Sequence, residues 1–145
     1  MWWITFLPSW NGISVMYDSN WTTNVDLDLY TDASDLAVAG YLNGAWYVEL
    51  VQDTSQIINW RELYAVVLAA ATWGHQWAGK RVLFHCDNQA ICYILCSQTS
   101  RSPELMQLVR ALFYIAASTP FEFSATYVNT KKNCVADSLS RLDFH

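Results

Sequence analysis

Residues 26–51, DLDLYTDASDLAVAGYLNGAWYVELV, decide the fold of this chain. DLDLYTDAS alternates apolar and polar side chains, the period of a half-buried strand. LAVAGYLNGAWYVELV then gives two β-rich runs around Asn43-Gly44. Both residues of that dipeptide tolerate positive φ, which favours a tight hairpin. Three antiparallel strands are predicted, at about 27–32, 36–42 and 45–51.

Towards the C-terminus, Asn59 is read as the cap of a helix through WRELYAVVLAAATWGHQWA. Leu63, Val66, Val67 and Ala70 recur there at helical spacing, and Gly79 closes the run. RVLFHCD is short, apolar and bounded, so it reads as a buried strand. NQAICYILCS is helical from an Asn88 cap. Ser102-Pro103-Glu104 opens a further helix, with proline in its first turn, to about Ala117. FEFSATYV alternates like a strand, and Asn133 caps CVADSLSRL. The order β-β-β-α-β-α-α-β-α predicts an α/β fold: a mixed five-stranded sheet, three antiparallel strands then two parallel, flanked by helices.

Towards the N-terminus the signal fades. Residues 1–25 carry Pro8, Gly12 and many Asn, Ser and Thr without a sustained period, so the chain divides into a lead-in, 1–25, and a domain, 26–145. Trp2, Trp3, Phe6, Leu7 and Trp10 are too many large apolar groups for a solvated tail. Exposed, they would form a patch of the kind that marks an interface, which suggests a connection to an adjoining domain.

Composition sets outer bounds. With 53% hydrophobic and 14% charged residues, 145 residues suffice for one well-filled core and do not suit disorder. The net charge of −5 argues against strong phosphate binding by this chain alone, and fits a cluster of acids neutralised by cations. Cys86, Cys92, Cys96 and Cys134 form no CxxC pair, and are read as buried, reduced thiols of an intracellular protein rather than a zinc site. No apolar run approaches the ~18 residues of a membrane span. MWWITFLPSW lacks a basic start and is interrupted by Pro8, unlike a signal peptide.

Four acidic residues stand at telling places: Asp32 at the end of the first strand, Glu62 early in the long helix, Asp87 at the end of LFHCD, and Asp137 in the last helix. Singly, each has an ordinary explanation as turn former, helix-dipole partner or solvated acid. Together they sit where open α/β sheets gather functional groups, at strand carboxyl ends. Crowded carboxylates require protons or cations, and hard oxygen donors select Mg²⁺ or Mn²⁺. Two such ions activate water at a phosphodiester. His85, two residues before Asp87, is read as a core or edge histidine, and His75 as a helix C-terminal dipole partner. Asp26, Asp28 and Asp35 are read as surface acids.

LYTDAS, INWRELYAVVLA, VLFHCDNQAICYIL and YVNTKKNCVADSLSR together resemble the ribonuclease H domain of retroelements, with DIRS-type and gypsy-type elements nearest. The resemblance runs from about Asp26 to Leu142, and WWITFLPSWNGISV resembles the segment joining reverse transcriptase to ribonuclease H in the DIRS-type group. It implies a ribonuclease H-like fold, cleavage of the RNA strand of RNA–DNA hybrids, two Mg²⁺ or Mn²⁺ ions and an adjoining reverse transcriptase domain. It makes Asp32, Glu62, Asp87 and Asp137 the metal-binding catalytic carboxylates. It also brings Ala33, Ser34, Asn88 and Gln89 near the substrate. The chain departs from the pattern in YVNTKKN, where many relatives carry a histidine and gypsy-type elements a Pro-Gly at Asn129-Thr130. Lys131 and Lys132 are the local cations that the sequence offers there.

Two rivals remain. An integrase-like acidic triad would use Glu122, thirty-five residues after Asp87, but Glu122 falls in a strand pattern and Glu62 and Asp137 would lose their roles. A non-catalytic tether of the same fold is favoured by the acidic charge and the missing histidine, and opposed by the full carboxylate set.

Overall fold

The computed structural model describes residues 4–5, 7–9, 17–23, 27–51, 57–129, 131 and 134–142. The expectations for Trp2, Trp3, Phe6, Trp10, Asp26, Lys132 and Asn133 lie outside these residues. Within them the strands are β1 (Leu29–Ala33), β2 (Ala37–Leu42), β3 (Ala45–Leu50), β4 (Arg81–Cys86) and β5 (Glu122–Tyr127). The helices are α1 (Ile58–Trp73), α2 (Gln89–Ser97), α3 (Pro103–Ser118) and α4 (Cys134–Ser140). No described helix is long and apolar enough to cross a membrane.

The sheet order is β3-β2-β1-β4-β5. β1, β2 and β3 pair antiparallel, whereas β4 pairs parallel with both β1 and β5. This is the mixed five-stranded sheet expected from the sequence. Asn43 and Gly44 close the β2–β3 hairpin with φ of 49° and 90°, and Asn43 Oδ1 accepts the Asp28 N–H at 2.8 Å. The turn chemistry sets the β2–β3 register, and the Asn43 side chain ties that turn to the residue before β1, the strand that carries Asp32.

Leu63, Val66, Val67 and Ala70 are buried and turn one face of α1 onto the sheet. Two expectations for this helix need correction. Its N-cap is Ile57, without a side-chain cap, while the Asn59 carboxamide oxygen accepts from Asn88 Nδ2 at 2.9 Å. Its α-helical part ends at Trp73, and a 3-10 turn, Gly74–Gln76, carries the chain on to Gly79 at φ 78°. That tighter turn places Trp77 under the sheet, fully buried, edge-on to Phe84 at 5.8 Å and to Phe121 at 5.2 Å. Asn88 and Ser102 cap α2 and α3 as expected, accepting from the N–H groups of Ala90 and Leu105.

Alternation sends Asp32 and its partner Ala39 to the same side of the sheet. There α4 packs across β1 and β2, and Ala37 and Ala39, both fully buried, leave it room to approach. On β2 the neighbouring Gly40 lies beneath the Tyr47 ring of β3, whose hydroxyl donates to the Ala65 carbonyl of α1. A Cβ on Gly40 would meet Tyr47 Cε1 at 2.3 Å. Gly40→Ala is therefore expected to lower stability by about 1–3 kcal/mol, the usual cost of overpacking. Combining it with Tyr47→Ala should recover part of that loss, which denaturant unfolding of the single and double variants would measure.

Residues 18–22 pair with residues 79–83, at the start of β4. Asp18 N–H donates to Gly79 O and Thr22 N–H to Arg81 O, each at 2.8 Å. Buried Thr22 Oγ1 accepts the Leu83 N–H at 2.9 Å, and Arg81 lies over the Trp21 ring. Residues 21–22 thus run beside the first half of β4, where β1 does not reach. Thr22→Val orphans the Leu83 N–H, so unfolding should show a loss of about 1–3 kcal/mol. Ile4 and Leu7 are exposed.

Cys86 and Cys92 are buried with their sulfurs 3.1 Å apart, as free thiols. Cys96 and Cys134 are exposed, against the expectation that all four thiols are buried. Cys96 sits at the end of α2, and the short α4 leaves Cys134 at its open first turn.

Candidate active site

Parallel pairing of β1 with β4 sets Tyr30 against His85, so two residues further on Asp32 and Asp87 stand side by side at the carboxyl ends of both strands. Glu62 reaches the same point from α1. Asp32, Glu62 and Asp87 each offer an oxygen, and all three oxygens lie within 4.8 Å of one another. Asp137 of α4 lines the same cleft without joining this trio. The cleft, of about 760 Å³, is also lined by Ala33, Ser34, Asp35, Asn88, Gln89, Tyr127 and Arg141.

The environment disfavours ionisation. Burial, then the Asp87 charge, raises Asp32 to about 7, although Ser140 and the Ala33 N–H hold it back. Burial, then Asp32 and Asp87, raises Glu62 to about 9. Glu62 is hydrogen-bonded to Asp32, which requires a shared proton, yet its buried Oε2 has no partner. A buried acceptor left open beside crowded carboxylates fits a hard divalent cation. Protons would compete with a cation at such a site.

This arrangement has a consequence for stability. Both carboxyls carry a folded-state pKa above the unfolded value, so the folded chain binds more protons between these limits. Their contribution is complete below about pH 4 and is lost as pH rises through 7 and 9. Without metal, the melting temperature should fall from pH 5 to 9, and Mg²⁺ should restore more of it at the alkaline end. A scan in chelator and in excess Mg²⁺ measures both. A metal-free melting temperature that climbs over this range would contradict the assignment.

The surrounding residues divide by what already occupies them. Asn88 Oδ1 accepts the Ala90 and Ile91 N–H groups, and its amide donates to Asn59. Asn88, the residue after Asp87, therefore ties the start of α2 to the first turn of α1. Ser34 Oγ donates to the Ser140 carbonyl and accepts from the N–H groups of Leu36 and Ala37. Ser34 lines the cleft, but its hydroxyl is spent within the chain. Asp35 is exposed and pairs with buried Arg61 at 2.7 Å.

His85 is a core residue, its Nδ1 3.0 Å from Leu29 O and its ring against Tyr30. His75 is exposed in the 3-10 turn. Glu122 pairs with Arg81 at 2.9 Å, at the opposite end of the β4–β5 ladder from Asp87, so it has no place in the carboxylate trio.

Sequence reasoning missed two residues. Ser140 is fully buried, and its hydroxyl lies 3.0 Å from Asp32 Oδ2 and 2.9 Å from the Asp137 carbonyl. Arg141 donates to Asp137 Oδ1 at 2.9 Å and adds a cation to the cleft. Three- and four-residue spacing from Asp137 on a helix was the available signal for both.

No protein-family model matches the sequence, and no curated protein matches it. Solved structures do. The chain is similar to ribonuclease H1 of the halophilic archaeon Halobacterium salinarum NRC-1, with a TM-score of 0.65, 20% identity, and 79% of this chain and 94% of that one covered. It is also similar to LC11 ribonuclease H1, isolated from compost by a metagenomic approach, with a TM-score of 0.54, 17% identity, and 77% and 89% covered. The fold is therefore ribonuclease H-like.

Proposed function

We propose that this chain is a metal-dependent endonuclease that hydrolyses the RNA strand of RNA–DNA hybrids. The observation that carries the reading is the convergence of Asp32, Glu62 and Asp87 within 4.8 Å on the fold of the two ribonuclease H1 structures, with Asp137 across the same cleft. In this reading Asp32, Glu62, Asp87 and Asp137 hold two Mg²⁺ or Mn²⁺ ions. When bound, the ions supply the positive charge that makes water nucleophilic and stabilises the departing oxygen. The chain supplies the rest. Burial of Asp32 and Glu62 makes their charges costly until they are compensated. Ala33, Ser34, Asn88 and Gln89 form the wall along which the substrate lies, with Ala33 and Ser34 on the RNA side.

RNA paired with DNA should be cut, and single-stranded RNA and duplex DNA should not, because the site reads a 2′-OH on one strand and the geometry of the other. Labelled substrates with Mg²⁺ or Mn²⁺ would test this. Equal cleavage of single-stranded RNA or duplex DNA would identify a different nuclease.

The same proposal places the domain beside a reverse transcriptase in an intracellular retroelement polyprotein, with residues 1–25 as the connection and 26–145 as the nuclease. The docking of residues 17–23 on β4 supports a connection that is partly anchored. A net charge of −5 favours one alternative, a tether without catalysis. That alternative would stand if neither the domain nor its fusion to the polymerase cut a hybrid.

A further inference from the structure

We infer that Ser140 is a positioning residue that holds the Asp32 carboxylate in the orientation required for cation binding, an inference that rests on the metal-site reading above. Ser140 is wholly buried at the end of α4, and its Oγ is 3.0 Å from Asp32 Oδ2, across 108 residues of sequence. One hydroxyl has one proton, and the Asp137 carbonyl at 2.9 Å competes for it. An ionised Asp32 is the stronger acceptor, so the proton goes to the carboxylate.

The serine is itself held in place. Ser34 Oγ donates to the Ser140 carbonyl, and Ser34 is anchored by the N–H groups of Leu36 and Ala37 in the β1–β2 turn. The chain of contacts runs from that turn through Ser140 to Asp32. It joins β1 to the helix that carries Asp137, so one bond orients one carboxylate and sets the distance to another. An alanine at 140 would leave Asp32 free to rotate and remove its side-chain donor.

The test compares Ser140→Ala with Leu139→Ala, which trims a buried side chain of the same helix that is not among the residues lining the cleft. Mg²⁺ binding is measured by calorimetry on the full chain without nucleic acid, beside the Mg²⁺ requirement and hybrid KM of cleavage. A hydrogen bond to a charged group is worth about 1.5–3 kcal/mol, so Ser140→Ala should weaken Mg²⁺ binding about tenfold or more. Hybrid KM should stay near wild type, and Ser140→Cys, a weaker donor of similar shape, should fall between. Leu139→Ala should lower the melting temperature with little change in Mg²⁺ affinity.

Unchanged Mg²⁺ affinity in Ser140→Ala would overturn the inference, as would an equal loss in Leu139→Ala. Either result would leave hybrid cleavage by the wild type standing. Mg²⁺ binding that depends on Ser140 in a chain that cuts no hybrid would support the positioning role and remove the nuclease reading.

Discussion

Asp87→Asn is expected to reduce hybrid cleavage by more than about 100-fold, because even outer-shell partners of a metal site typically cost 10–100-fold. The substitution keeps the shape of the side chain and removes a charge from one of three carboxyl groups whose oxygens lie within 4.8 Å of one another. Asp87 contributes to the raised pKa of both Asp32 and Glu62. Its neutralisation should therefore ease repulsion and raise metal-free stability by about 0.5–2 kcal/mol, the usual gain from a single stabilising change. Loss of activity with a higher melting temperature in chelator is the paired signature. Mg²⁺ should then stabilise the variant much less than the wild type. Activity within a few-fold of wild type would remove Asp87 from the reaction.

Trp77→Ala should give the largest loss of stability, about 3–5 kcal/mol, corresponding to roughly 10–20 °C in melting temperature. The indole is fully buried between Phe84 and Phe121, so truncation leaves a cavity walled by rings. Its Nε1–H is buried without a partner, a standing cost that alanine and phenylalanine both remove. Trp77→Phe should therefore lose about half as much or less. Cleavage at low temperature should survive, since Trp77 is not among the residues lining the acidic cleft. Thermal melts of the two variants separate ring packing from the cost of the orphaned N–H.

The sheet was legible because its signals are local. Alternation at 26–33 and the Asn43-Gly44 turn dictate strands and register without reference to the rest of the chain. The trio of Asp32, Glu62 and Asp87 was legible one step further out, since a parallel β1–β4 pair must align the ends of the two strands. The lost details are those that depend on tertiary neighbours. Asn59 has the chemistry of a cap but is used by Asn88, and α1 starts at a position with no side-chain cap. Residues 21–22 join β4 through two hydrogen bonds, too short a run to leave a period. Ser140 is small and neutral, and nothing in its type announces a bond to a carboxylate 108 residues away. Ala37 and Ala39 read as ordinary strand residues, although their size admits α4.

The β1–β4 pairing divides the molecule into two halves of unequal content. Everything before α1 contributes the β1–β3 meander and Asp32, while Glu62, Asp87 and Asp137 all follow. A cut between Leu50 and Ile57 would leave neither fragment with a complete acidic set. Each would remain silent until the parallel seam closed and set Asp32 beside Asp87. If the chain is the nuclease proposed above, such a pair would act as a reconstitution reporter, with cleavage of a hybrid reading out the meeting of any two proteins fused to the halves.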